Sequence, residues 1–259
     1  TRQIDRLRPV IVPVPVEVQG VSKSIISLNG TWKLKAKPSG NYWENSVNFN
    51  TWDDVAVPCD LGTLAYLKNV PRGEYAYKRV IDENADEVSV FNKGGLTRDV
   101  RLMAVPKIHI TRLHGETYFD AEYRDAELKV MLGTSCRGEE QAEVELKLIS
   151  PSGEEVDIDM PAVKLNGLCP GRDMKIKVKS PVKWDAEHPR LYTIEAYLKV
   201  NGEVIERVER RIGFRQIQIK GNRMYVNGRE VKLRGVCRHE ISPLNGRTLT
   251  KELMEKDVR

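Results

Sequence analysis

The sequence predicts a mainly β chain, and three observations carry that prediction. No stretch with a helical period appears before residue 250. Short runs of alternating apolar and polar residues recur instead, separated by Gly, Pro, Asn and Asp turns. The pattern turns helical only after Pro243 and Gly246, where Glu252 to Lys256 and Glu255 to Arg259 are spaced for i,i+4 pairs.

Taken in order, the elements fall into three regions. Residues 1–105 open with a Pro/Val-rich extended arm, Pro9 to Val18. Ile26 to Leu34 follows as strand, tight turn at Asn29-Gly30 and strand, with Trp32 to bury. Trp52, Val55 to Pro58, and Glu74 to Arg79 continue the region. It closes on Phe91-Asn92-Lys93-Gly94-Gly95-Leu96-Thr97-Arg98-Asp99-Val100, where the glycine pair permits an unusual backbone turn and Val100 begins a strand. Residues 106–215 read as an immunoglobulin-type sandwich. Its strands are expected at Lys107 to Leu113, Ala126 to Leu132, Ala142 to Ile149, Met174 to Val178, Tyr192 to Val200 and Val204 to Ile212. Pro151-Ser152-Gly153 and Asn201-Gly202 supply its hairpin turns. Residues 216–259 hold a hairpin, Arg223 to Val226 and Glu230 to Leu233 around Asn227-Gly228, and then Arg234 to Glu240 and the opening helix. A hairpin, a strand ending in polar residues and a helix look like the first β/α unit of a larger domain.

Composition narrows the function classes. Forty per cent hydrophobic and 31% charged residues make a globular chain rather than a disordered one. No apolar run approaches the ~18 residues that cross a bilayer, so no membrane partner is expected. The net charge of +5 comes from 42 basic and 37 acidic residues that are interspersed, without a basic patch interleaved with aromatics, so no nucleic-acid partner is expected either. Cys59, Cys136, Cys169 and Cys237 show no metal-ligand or redox spacing and read as core thiols, with a disulfide between two of them as the alternative. The chain opens at Thr1 with neither Met nor an apolar signal core, so a targeting segment is expected to be absent or already removed. The compartment, cytoplasmic, periplasmic or secreted, stays open.

Four blocks point to one family. Leu28-Asn29-Gly30-Thr31-Trp32, Gly94 to Val100, Trp184 with His188-Pro189-Arg190-Leu191-Tyr192 before Arg211-Ile212-Gly213-Phe214-Arg215, and Asn227-Gly228 with Arg234-Gly235-Val236-Cys237-Arg238-His239-Glu240 resemble family 2 glycoside hydrolases. Arg-His-Glu followed by Pro243-Leu244 and Gly246-Arg247 is most similar to a β-galactosidase. The resemblance implies a jelly-roll sugar-binding domain over 1–105, an immunoglobulin-like domain over 106–215 and the start of a (β/α)₈ catalytic barrel over 216–259. A barrel takes about 250 residues, so this one is truncated. Members are retaining enzymes with two glutamates, acid/base and nucleophile, about 5–5.5 Å apart. The acid/base lies in an Asn-Glu pair on a later barrel strand, and no such pair follows residue 240. The segment is therefore expected to lack both catalytic residues and to be inactive alone.

The first region also departs from the family. Only Val80 to Val90 bridges Arg79 and Phe91, where members spend several dozen residues on jelly-roll strands. The expectation is that the natural polypeptide carries residues absent from these 259, with a deletion variant as the other explanation.

Site residues follow from the resemblance. His239, at the C-terminal end of the first barrel strand, matches the histidine that hydrogen-bonds the sugar in the −1 subsite. Glu240 is read as its neighbour in the floor of the site, either supporting it or standing close to a metal, Arg238 as a brace of the loop, and Asn92 and Arg98 as wall residues from the first domain or as structural turn residues. Cys237 stands where relatives often carry Asn. Full-length members often use Mg²⁺, but no cofactor or metal ligand is identifiable in this segment. The implied substrate is a terminal β-D-galactoside, with β-glucuronidase and β-mannosidase as competitors inside the family, and a homo-oligomer is compatible with the scaffold role. Read from the residues alone, a carbohydrate-binding module or a structural β-sandwich tandem is the alternative. Trp32, Trp52 and Trp184 have faces suited to sugar rings, but their place among strand residues reads as core.

Overall fold

The computed structural model describes residues 13–38, 40–44, 46–59, 61, 75–79, 98–135, 142–159, 162–165, 172–235, 237, 242, 244–246 and 248–258. The glycine pair at 94–95, the stretch 80–90, Cys136 and Cys169 lie outside them. The chain is mainly β, as its turn-punctuated alternation predicts, and it divides into two compact units, Thr1–Ile25 with Met103–Arg234 and Ile26–Leu102 with Gly235–Arg259.

In chain order, β1 (Pro15–Val18) belongs to the first unit. The second is built mainly by β2 (Ile25–Ser27), β3 (Gly30–Ala36), β4 (Asp53–Val57), β5 (Tyr75–Lys78) and β6 (Arg101–Met103). The chain then returns to the first with β7 (Ile110–Phe119), β8 (Ala126–Thr134), β9 (Ala142–Ile149), β10 (Val163–Leu165), β11 (Arg172–Val178), β12 (Tyr192–Val200) and β13 (Glu203–Ile212). β14 (Ile217–Lys220), β15 (Arg223–Val226) and β16 (Arg229–Val231) complete that unit, and α1 (Lys251–Val258) lies in the second. Among the described residues no helix is long and apolar enough to cross a membrane.

The first unit is a sandwich of a five-stranded sheet, β1-β13-β12-β9-β10, and a three-stranded sheet, β11-β8-β7. Strict period-2 alternation makes it: every second residue of β9 and β12 is buried, so one face of each strand enters the core while the other stays toward solvent. Leu128, Val130 and Ile176 from one sheet join Val144, Leu146, Ile194 and Val208 from the other in a single cluster. At Gly115 the sheets approach so closely that a β-carbon there would lie 2.9 Å from Ile194 Cδ1. Phe214, fully buried, meets Tyr192 edge-on at 4.7 Å, a pairing worth about 0.5–1.5 kcal/mol beyond its area burial. The strands expected at Ala142 to Ile149 and Tyr192 to Val200 form over those residues. Pro15–Val18, read as part of an extended arm, is instead an edge strand hydrogen-bonded to β13, a position that tolerates proline's missing N–H.

The second unit contains the sheet β4-β3-β5 and the pair β2-β6. Its core gathers Leu28, Trp32, Leu34, Val55, Val57, Leu61 and Tyr77. Trp32 is 1% exposed and Trp52 is 8% exposed, so both are core residues rather than sugar platforms. The helix expected after residue 250 is α1, capped by Thr250, whose Oγ1 accepts from Leu253 N. Its intrahelical ion pair joins Lys251 to Glu255 at 3.5 Å.

Candidate functional site

Of the five residues assigned to the site, Arg98 falls among the described residues, while Asn92, Arg238, His239 and Glu240 lie outside them. Arg98 is exposed and directly precedes a clamp that joins two of the sequence blocks. Asn29 Nδ2 donates to Asp99 Oδ1 at 2.8 Å, and Asn29 Oδ1 accepts from Val100 N at 3.0 Å. Asn29 and Arg101 together hold the Asp99 carboxyl below its ordinary value. The Leu28 carbonyl accepts both from Trp32 Nε1, at 2.7 Å, and from the Arg79 guanidinium, which also reaches Asn29 O. Gly30 sits at φ +128°, a conformation side chains disfavour, so the turn in Leu28-Asn29-Gly30-Thr31-Trp32 requires its glycine. These motif residues position the strand that follows Arg98; their chemistry is structural.

The two later blocks converge on a second clamp, at the foot of the β14-β15-β16 sheet. Asn227 and Gly228 turn the β15-β16 hairpin with φ of 50° and 76°, a pairing suited to its twist. Asn227 Oδ1 accepts from Gln216 N at 2.9 Å, Asn227 Nδ2 donates to Trp184 O at 3.0 Å, and Asn227 N donates to Gln216 O at 2.9 Å. The Trp184 ring is half-buried, with the Arg215 guanidinium 4.3 Å from its centroid. A β-carbon at Gly213 would lie 2.7 Å from Trp184 Cγ, so glycine is what lets the indole lie against β13's end. Tyr123 packs on Gly228, and its hydroxyl donates to Gln218 Oε1 at 2.6 Å. The strand leading toward residues 238–240 is thus tied to the sandwich at several points. Trp184 is an anchor of that junction rather than an open stacking platform.

Beyond β16 the chain reaches Cys237, whose thiol is free and exposed rather than in the core as its spacing suggested, and then a closed turn. Ser242 and Gly246 exchange two backbone hydrogen bonds, of 2.7 and 2.9 Å, and Ser242 Oγ accepts from Leu244 N and Asn245 N. Asp185, Glu187 and His188 bring three potential metal ligands together at the surface. Asp185 Oδ1 is already occupied by the backbone N–H groups of Glu187 and His188 and by the His188 ring. Those bonds, led by the His188 N–H, hold its carboxyl below the ordinary value, and the group is a turn cap.

One buried acid escaped sequence reasoning. Glu206, on β13, is 1% exposed; its Oε2 accepts from Ile110 N at 2.7 Å across the sandwich, and its Oε1 has no partner among the described residues. Burial raises its pKa above the ordinary carboxyl value, against the opposing effects of the Ile110 N–H and His109. The signal was available in the parity it shares with Val208 and Ile212, both inward. Its environment offers no route for a substrate.

Comparison with known proteins gives a consistent result. The description "Glycosyl hydrolases family 2" matches residues 108–215, and "Glycosyl hydrolases family 2, TIM barrel domain" matches residues 217–259. A β-galactosidase of Priestia megaterium is 32% identical over 228 residues, 83% of this chain and 22% of that protein. A putative β-glucuronidase of Formosa agariphila is 33% identical over 183 residues, 69% of this chain and 21% of that protein. The chain thus spans between a fifth and a quarter of the length of these relatives. Among solved structures, a Bacteroides uniformis β-glucuronidase superposes with a TM-score of 0.74 at 20% identity, over 90% of this chain and 37% of that one. A Parabacteroides merdae β-glucuronidase does so with 0.71 at 20%, over 91% and 40%. These last two share the fold.

Proposed function

Because the chain belongs to glycosyl hydrolase family 2, we propose that it forms part of a retaining glycosidase that cleaves terminal β-D-galactosides, and that it supplies scaffold and part of the active-site wall. One observation carries the choice of sugar: the likeness to a β-galactosidase runs over 83% of the chain. In this reading the two glutamates of the retaining mechanism stand on barrel strands outside these 259 residues, about 5–5.5 Å apart. His239 reaches the sugar hydroxyls from the first barrel strand, an imidazole being able to donate and accept at once. Glu240 and Arg238 brace the same floor, and Asn92 and Arg98 form wall from the first region.

A β-glucuronidase is the second reading, supported by the 33% identity to the Formosa agariphila relative. The full-length protein, assayed on p-nitrophenyl β-D-galactoside, β-D-glucuronide and β-D-mannoside, separates the sugars. The proposal expects kcat/KM on the galactoside to exceed the others by at least about tenfold, a difference of about 1.4 kcal/mol in transition-state binding. His239→Ala is expected to lower it by a similar factor or more. Preference for the glucuronide would replace the galactoside reading, and no hydrolysis of any of the three would remove the glycosidase.

A further inference from the structure

Of the four tryptophans, Trp43 is the one that strand alternation does not place, since it lies in the connection between β3 and β4. Its side chain is 57% exposed, whereas Trp32 and Trp52 are buried and Trp184 is half-buried. No other large apolar side chain is exposed among the described residues from Ser27 to Leu102, so the indole is not part of a wider apolar patch. The turn that carries it is held at several points. Gly40 opens it at φ +70°, Glu44 N donates to Asn41 O at 3.0 Å, and Val47 N donates to Glu44 O at 3.3 Å. Asn41 Nδ2 donates to Glu44 Oε1 at 2.7 Å, and Ser46 Oγ donates to Glu44 Oε2 at 3.3 Å. Lys78 Nζ, from β5, donates to Glu44 O at 2.8 Å and lies 5.0 Å from the centre of the Phe49 ring. Phe49 in turn packs edge-on against the buried Trp52, which ties the turn to the core of its unit. The Tyr42 ring meets the indole edge-on at 5.1 Å and 75°, orienting it while most of its surface stays open.

We propose that Trp43 is a stacking platform for a pyranose ring of a saccharide, with the galactosyl unit of a β-galactoside as the ring it takes best. A sugar ring is amphipathic in the sense this turn requires: one face carries C–H groups and the rim carries hydroxyls. The C–H groups suit the negative face of an indole. With its C4 hydroxyl axial, a galactosyl ring gathers the C–H groups of C3, C4 and C5 on one face. The rim meets polar side chains, because Asn41, Glu44 and Ser46 are exposed beside the indole. Each Glu44 carboxylate oxygen accepts one side-chain hydrogen bond and keeps a further lone pair for a sugar hydroxyl. Because the ring is already oriented and the turn already anchored, stacking costs little side-chain ordering. A protein partner would seek a broader apolar surface than one aromatic ring among polar groups. The choice of a galactosyl ring rests on the β-galactosidase reading; the platform itself rests on the turn.

Titration of the 259-residue chain tests it. The parent, Trp43→Ala and Trp43→Phe are each titrated calorimetrically with β-1,4-galactobiose, cellobiose and β-1,4-mannobiose. The proposal expects galactobiose to bind the parent with a Kd on the order of 1 mM. Trp43→Ala should weaken that binding at least about tenfold, and Trp43→Phe, which keeps an aromatic face, should fall between the two. An unchanged urea midpoint in both variants separates a lost contact from a lost fold. Equal galactobiose binding by the parent and Trp43→Ala would overturn the proposal, as would no binding of any of the three disaccharides up to about 50 mM. A dimer mass by light scattering that Trp43→Ala abolishes would also overturn it, because a second copy would then cover the ring. Tighter binding of cellobiose or mannobiose, lost in Trp43→Ala, would overturn the galactosyl choice and uphold the platform. Should Trp43→Ala fail to fold, oxidation of Trp43 by N-bromosuccinimide in the unsubstituted chain, read by peptide mass spectrometry, decides instead. Slower oxidation in the presence of galactobiose is expected, and an equal rate would overturn the platform. Trp43-dependent binding without hydrolysis of any of the three nitrophenyl glycosides by the full-length protein would uphold the platform and reject the glycosidase. Hydrolysis alongside binding that ignores Trp43 would do the reverse, so the two readings fail separately.

Discussion

Glu206 shows how far a single residue can set a chain's response to pH. Its carboxyl is sealed between two sheets, where the charged form loses hydration and gains one backbone N–H, from Ile110 at 2.7 Å. Burial raises its pKa, and the Ile110 N–H and the nearby His109 oppose that rise without cancelling it. The folded state therefore holds this proton more tightly than the unfolded state. Stability is greatest below the unfolded value near 4.5, falls as pH rises from there through the raised native value, and is level above it. Glu206→Gln keeps an oxygen for Ile110 N and removes the titration. The variant should lose this component of the pH dependence, so that its urea midpoint gains on that of the parent chain as pH rises from 4.5 toward 9. Parallel profiles for the two proteins would show that Glu206 is not the group responsible. Nothing in the composition announced this residue, because one acid among 37 becomes visible only when its strand parity is fixed against the core.

At the scale of elements, the β14-β15-β16 sheet depends on one side chain that the sequence marks plainly. Asn227 was legible as a turn residue from Asn-Gly between alternating runs, and the hairpin forms there. Its second role was not legible, since the partners Gln216 and Trp184 lie 11 and 43 residues away. Asn227→Ala removes an acceptor from Gln216 N and a donor from Trp184 O. The loss should destabilise the first unit by about 1–3 kcal/mol, read as a lower urea midpoint. Asn227→Asp retains the acceptor and tolerates the positive φ but loses the donor, and its loss should be the smaller of the two; equal losses would mean that the donor to Trp184 O carries the effect. β14 itself went unseen because Ile217–Lys220 is four residues long, too short for alternation to distinguish from loop. Pro15–Val18 was masked differently: the three prolines of Pro9 to Val18 suggested an arm, and only the pairing with β13 shows an edge strand. The long strands β9 and β12 were readable end to end because burial on one face imposes period 2 over eight and nine residues.

For the whole molecule, the carboxyl groups of the described residues bear on what the 259 residues can do alone. Retaining hydrolysis needs an acid held high enough to be protonated and a second carboxylate beside it, both open to a sugar. Asp99, Asp120, Glu145, Asp185 and Glu252 are all held low, by hydrogen bonds that satisfy the charged form. Glu206 is held high, yet at 1% exposure no glycoside reaches it. Glu155, beside a hairpin turn, is paired with Lys147 at 3.0 Å on an open surface. The family was legible because the described residues of its blocks are structural, joining Asn29 to Asp99 and Asn227 to Trp184, and such residues leave a sequence pattern wherever the fold recurs. In the proposed reading, the chemistry is legible only as the approach to it, at Arg234 to Glu240. The isolated chain should therefore hydrolyse p-nitrophenyl β-D-galactoside no faster than buffer, with Glu206→Gln unchanged from the parent. Full-length protein under the same conditions should turn over at an enzymatic rate, about 1–10³ s⁻¹. Hydrolysis at that rate by the 259-residue chain would mean that two acids among its own residues form the pair. The active site would then have to be sought among the strands rather than in the barrel, beginning with variants of the exposed acid Glu155.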